Sequence, residues 1–167
     1  TDIFTELGDF INKIPKDETK ERMKMKEVLI LEDKSETRKV LAGLVKEVRS
    51  DAVIYEAADE KTAYDIAMKR TIDLFLVDII LHPQQHDDVS GGEFAQNIRK
   101  VDKYLFTPIL IITSMYDPKM CMYSSVHCYQ FIEKPFDFEN VNQTIQEAIR
   151  YETVQEKDRS LMFRTEG

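Results

Sequence analysis

Between Glu27 and Tyr151 the chain alternates, five times over, a short apolar run with a longer amphipathic stretch. The runs are Val28–Leu31, Val53–Tyr55, Leu74–Val77, Ile109–Ile112 and Tyr129–Ile132, each strand-sized and rich in β-branched or aromatic residues. The stretches that follow them, Ser35–Arg49, Glu60–Lys69, Gly92–Val101, Pro118–Ser125 and Asp137–Tyr151, have the length and spacing of helices. Strict β–α alternation predicts a parallel sheet covered by helices on both faces, since parallel neighbours need a crossover and the helices supply it. Right-handed crossovers leave few topologies for such a sheet. Ligands then belong beyond the carboxyl ends of the strands, where the strand order reverses.

The remainder of the composition narrows the class. The chain has 167 residues, 43% of them hydrophobic, enough for one core with attached segments. Lys and Arg number 23 against 31 Asp and Glu, a net charge of −8, so no basic field covers the chain for gripping nucleic acid. The longest apolar run is only strand-length, and a membrane-spanning helix is not expected. No charged-then-apolar leader opens the chain, and Cys121 and Cys128 make no disulfide framework, so a cytoplasmic location is the expectation. Residues 1–26 stand apart as a helical extension and charged linker. Ile3, Phe4, Leu7, Phe10, Ile11 and Ile14 form an apolar stripe that Pro15 ends, followed by the charged run Lys16–Lys26. The stripe fits packing on its own domain, a dimer helix or the tail of an upstream domain. The main domain is expected over 27–151, and a linker over 152–167.

Chemistry collects at the strand ends. The first strand runs into Glu32 and Asp33, the third into Asp78, the fourth into Thr113 and Ser114, and the fifth into Glu133, Lys134 and Pro135. Carboxylates crowded at one edge raise one another's pKa unless a cation offsets them. An all-oxygen cluster of this kind suits a hard divalent ion such as Mg²⁺, which takes a few carboxylates and keeps waters. A solvated helix cap is the plain alternative for any one acid, but not for five coincident positions.

These residues resemble the receiver domains of two-component response regulators. The resemblance is carried by VLILEDKSETR (Val28–Arg38), LFLVDI (Leu74–Ile79), GGEF (Gly91–Phe94), TPILIITS (Thr107–Ser114) and FIEKPFD (Phe131–Asp137), in the family's order over roughly residues 27–150. It implies a flavodoxin-like, doubly wound (βα)5 fold with strand order 2-1-3-4-5. It also implies that Asp78 accepts a phosphoryl group from a phosphohistidine on a sensor histidine kinase. Mg²⁺ would be held by Asp33, Asp78 and the Ile80 carbonyl, with Glu32 acting through a water. Lys134 would pair with the phosphoryl oxygens, Thr113 would donate a hydrogen bond to one of them, and Phe131 would occupy the aromatic switch position. The Lys134–Pro135 bond would be cis. Activation in such domains changes the surface that Pro118–Ser125, Cys128–Glu133 and Asp137–Tyr151 would form here, so a phosphorylation-strengthened homodimer is implied.

The chain departs from the family in two places. Thirteen steps separate Asp78 from Gly91, a longer loop than relatives commonly have, with the extra residues in His82–Ser90. His82, His86, Asp87 and Asp88 have metal-ligand chemistry, but Pro83 argues against one helix presenting both histidines, and a solvated loop shaping the mouth of the site is the better reading. The positions tied to acyl-phosphate lifetime in relatives are Ile80 and Met115, both apolar and unable to orient an attacking water; self-dephosphorylation over minutes to hours is expected. Ser114, where relatives carry Ala or Gly, is small enough to admit a phosphoryl group.

Two further readings concern output. The tail LMFRTEG (Leu161–Gly167) resembles the first strand of LytTR-type DNA-binding domains, and HCYQFIEKPF resembles receivers that carry them. That resemblance implies a transcription regulator that reaches DNA only through a further domain; a frayed terminal segment is the alternative. Against a phosphoacceptor stand a degenerate receiver acting by contacts alone and a Mg²⁺-dependent aspartyl-phosphate phosphatase. The phosphatase needs an acid two residues after its nucleophile, where this chain has Ile80.

Overall fold

A computed structural model of the chain describes residues 25–114 and 126–150. Its elements are β1 (Glu27–Leu31), α1 (Ser35–Val48), β2 (Val53–Ala57), α2 (Glu60–Lys69), β3 (Leu74–Val77), α3 (Ser90–Arg99), β4 (Ile109–Thr113) and β5 (Gln130–Glu133). A further helix, α4, covers residues 138–150. The strands form one parallel sheet in the order β2-β1-β3-β4-β5, as the alternation and the resemblance imply. The order reverses between β1 and β3, which places the ligand edge where the acids stand.

The pleat sorts the strand residues into two cores. Leu29, Leu31, Phe75, Val77, Ile109 and Ile111 face α2 and α3, packing with Ala63, Ala67, Phe94 and Ile98. Val28, Ile30, Leu74, Leu76, Leu110 and Ile112 face the other way, onto Leu41, Leu44 and Val45 of α1 and Val141, Ile145 and Ala148 of α4. Every residue of β3 and β4 is buried, which is why those strands read as unbroken apolar runs and not as alternating ones. Around the first core, Phe75 packs edge-to-face on Tyr104 and Phe94, with ring centroids 5.0 and 6.1 Å away.

The bounds shift where local chemistry intervenes. β2 continues two residues beyond its apolar run, because exposed Glu56 keeps the strand's pairing without interrupting a buried face. α3 begins at Ser90 and ends at Arg99, earlier at both ends than the spacing predicts. Past Arg99 the chain tightens into a turn in which Lys100 N–H donates to the Asn97 carbonyl, and the Arg99 guanidinium donates to the carbonyls of Tyr104, Leu105, Thr107, Val126 and His127, tying the approach to β4 to the approach to β5. The amphipathic stretch Pro118–Ser125, the N-terminal stripe, Met115 and the tail 152–167 lie outside the described residues. Among the described residues, no helix is long and apolar enough to cross a membrane.

Candidate functional site

Two strand ends, those of β1 and β3, deliver the three acids to one place. Glu32 N–H donates to the Ala57 carbonyl at 3.0 Å and Asp78 N–H to the Leu31 carbonyl at 2.9 Å, so both residues prolong the sheet ladder by one step past their strands. Asp33 follows Glu32 in the turn that leads to α1. No side chain caps α1, whose N-cap is Lys34, so Asp33 is not a helix cap. One oxygen from each of Glu32, Asp33 and Asp78 lies within 4.8 Å of the others, the single grouping of this kind among the described residues. Glu32 is 1% exposed and Asp78 6%.

Lys134 closes the cluster. Its ammonium donates to Asp78 Oδ2 at 2.8 Å and to Glu32 Oε1 at 2.7 Å. The Lys134 backbone N–H donates to the Thr113 carbonyl at 2.9 Å, which aligns the ends of β4 and β5. Thr113 is fully buried beside Glu133 in the register, and Ser114 and Lys134 line the same cleft, of about 280 Å³, as Asp33, Asp78, Ile80 and Pro83. The Lys134–Pro135 bond is cis, as the resemblance implies. Phe131 lies across from Ile111 and packs, half-buried, against the α2–α3 core.

The electrostatics are those of a site with one charge too many. Burial, and then the neighbouring Asp78 carboxylate, push Glu32 up to about 8, against the pull of Lys134. Burial pulls the Lys134 ammonium down, but its bonds to Asp78 and Glu32 outweigh this and raise it overall. Glu32 Oε2 is buried with no hydrogen-bond partner among the described residues. A buried carboxylate oxygen left unmatched among three acids is a place for a cation or its water, and an all-oxygen set suits Mg²⁺. The residues present therefore fit the metal that the fold implies.

Three residues shape the site that strand-end reasoning does not reveal. Arg38, on α1, donates to the Glu32 carbonyl at 2.7 Å, lies 3.5 Å from the Asp33 carbonyl, and pairs with Glu56 at 3.2 Å. Gly91 donates its N–H to the Ile79 carbonyl at 2.9 Å and lies against the Asp78 carbonyl with no room for a side chain. Asp88 folds back onto backbone amides of its own loop. An arginine one turn into a solvated helix and a Gly-Gly pair at a helix start were the available signals. The histidines do not gather: His82 Nε2 lies 3.3 Å from Glu60 Oε2, whereas exposed His86 lies beside Asp87.

Residues 28–146 match the family profile described as the response regulator receiver domain. The chain is 28% identical over 121 residues to the sensory transduction protein LytT of Bacillus subtilis (strain 168), and 29% identical over 121 residues to LytT of Enterococcus faecalis. Both matches cover 72% of this chain and 47% of the relative, so the chain spans about half the length of these curated relatives. Among solved structures it is similar to the chemotaxis response regulator CheY4 of Vibrio cholerae, with a TM-score of 0.62, 26% identity, and coverage of 75% of this chain and 99% of that one. NtrX from Brucella abortus shares the fold at a TM-score of 0.66 and 20% identity, over 83% of this chain and 30% of its own. With the five-stranded order, the acidic edge and a profile match across most of its length, the chain belongs to the response regulator receiver domain family of two-component systems.

Proposed function

We propose that the chain is a phosphoaccepting switch in which Asp78 takes a phosphoryl group from a sensor histidine kinase. The observation that carries this reading is the buried triangle of Asp78, Glu32 and Lys134 at the switch point of the sheet. A carboxylate oxygen of Asp78 attacks the phosphorus of a phosphohistidine. The new O–P bond forms as the N–P bond breaks, and the electron pair returns to the imidazole. Asp33, Asp78 and the Ile80 carbonyl would hold Mg²⁺, with Glu32 acting through a water. When bound, the ion offsets charge on the phosphoryl group in transfer. Lys134, freed from Glu32, follows Asp78 Oδ2 and pairs with the incoming phosphoryl oxygens. The Thr113 hydroxyl donates to one of these oxygens, and Phe131 turns inward behind it.

A phosphoryl group adds about −1.5 to −2 charges and three acceptors, enough to bias a loop and a helix. The output we propose is a homodimer through β5, α4 and the segment 118–125, and transcription through a LytTR-type DNA-binding domain beyond this chain. The names of the LytT relatives and the tail Leu161–Gly167 support that output. The protein is a stoichiometric substrate and not a phosphatase, because Ile80 supplies no acid at the position a phosphatase would use. Incubation with acetyl phosphate and Mg²⁺ separates the alternatives. One stable phosphoryl adduct per chain, with acetate released, fits a phosphoacceptor; sustained phosphate release fits an enzyme, and no reaction leaves a contact module.

A further inference from the structure

The long loop between β3 and α3 carries a carboxylate that phosphoryl transfer leaves unused. Asp88 Oδ2 accepts from the backbone N–H of Leu81 at 2.9 Å, from the N–H of His82 at 3.0 Å and from the Ser90 hydroxyl at 3.1 Å. Burial pulls the Asp88 carboxyl up, but the His82 and Leu81 amides and the Ser90 hydroxyl outweigh it and hold it below its ordinary value. The acceptor is therefore ionised at neutral pH, and hydrogen bonds to a charged oxygen are the strong kind.

Geometry links that knot to the cleft. The Ile80–Leu81 peptide is trans, as Lys134–Pro135 is the one cis bond among the described residues. In a planar trans peptide the N–H and the C=O point in opposite directions. An anchor on the Leu81 N–H thus sets the direction of the Ile80 carbonyl. The preceding peptide is held too, because the Ile80 N–H donates to Asp78 Oδ1 at 3.2 Å. Ile80 lies in the cleft wall with Asp33 and Asp78. The planes on both sides of Ile80 are therefore set by carboxylates, one from Asp78 and one from the long loop.

We infer that Asp88 is a positioning residue that aims the Ile80 carbonyl at the divalent cation, making the inserted loop a part of the metal centre. This rests on the reading above, in which Asp33, Asp78 and that carbonyl hold Mg²⁺. Partners of metal ligands commonly matter about 10- to 100-fold in metal affinity.

The test is Mg²⁺ titration by calorimetry of the full chain, with amide hydrogen exchange at Leu81 and His82 measured without metal. Asp88→Ala should weaken Mg²⁺ binding about tenfold or more and speed exchange at both amides, whereas Asp87→Asn, in the same loop and compatible with the left-handed φ of 61° there, should change neither. Asp88→Asn keeps a neutral acceptor and should weaken binding by about threefold, since neutral hydrogen bonds are roughly half as strong; it decides the matter if the alanine variant does not fold. Wild-type affinity in a folded Asp88→Ala, or in Asp88→Asn when that variant decides, overturns the inference and leaves the cation reading standing. A wild-type chain that takes up no Mg²⁺ overturns the cation reading, and the inference with it.

Discussion

Gly91 lies so close to Asp78 that a Cβ built on it would stand 1.7 Å from the Asp78 carbonyl oxygen and 2.8 Å from the carbonyl carbon. The obstacle is backbone on the strand end that carries the candidate phosphoacceptor, so no rotamer change relieves it. α3 is pinned there through Gly91 N–H and the Ile79 carbonyl. Gly91→Ala should destabilise the fold by about 3 kcal/mol or more, the upper end of overpacking, and displace Asp78. Urea unfolding of this variant beside Gly43→Ala, a helical glycine with open space around it, checks the claim. Equal effects at the two sites would refute it.

Glu32 makes the metal-free site a proton store. Its pKa of about 8 stands above the ordinary 4.5, so the folded chain binds this proton more tightly than the unfolded chain does. The stability it contributes is complete below 4.5 and is lost as pH rises through about 8. The metal-free thermal midpoint should therefore fall between about pH 6 and pH 9, and Glu32→Gln, always neutral, should flatten that fall. Mg²⁺ binding should release a proton below about pH 8, seen as a buffer-dependent heat in calorimetry. No buffer dependence would count against it.

Arg38 holds the turn bearing two of the three acids by its backbone. Arg38→Met should cost about 1–3 kcal/mol, since the Glu32 and Asp33 carbonyls lose a charged donor. Mg²⁺ affinity should fall with it. Arg38→Lys should not restore either quantity, because an ammonium cannot reproduce the guanidinium fork. Full rescue by lysine would show that charge alone matters.

Ile80 gives the acyl phosphate no side chain able to orient a water. The phosphorylated wild type should persist for minutes to hours, and Ile80→Asn should shorten that lifetime. Decay within seconds in both proteins would remove Ile80 as the cause.

The parts of the fold that could be read in advance are those where one chemistry dominates a segment. β3 lies between Asp73 and Asp78 with four buried residues, and α2 runs over Glu60–Lys69 behind the N-cap Asp59, whose side chain accepts from Thr62 N–H at 2.8 Å; both were legible to the residue. Site acids were legible too, because parallel topology carries strand-end residues to one edge. Gly91, Arg38 and Asp88 were not assigned these roles because each acts on backbone atoms. A carbonyl's direction, or a distance of closest approach, leaves no periodic trace in a sequence. The spacing starts the helix at Gly92, yet Gly91 already lies inside α3, where a helix start and a strand end nearly touch.

The central claim is that Asp78 accepts the phosphoryl group. Its most direct test is intact mass spectrometry of wild type and Asp78→Asn after acetyl phosphate, with Mg²⁺ and with a chelator. A single phosphoryl adduct on the wild type, present with Mg²⁺ and lost in both the variant and the chelated sample, is the predicted result. An adduct that survives in Asp78→Asn, or a wild type that stays unmodified with Mg²⁺, would contradict the account.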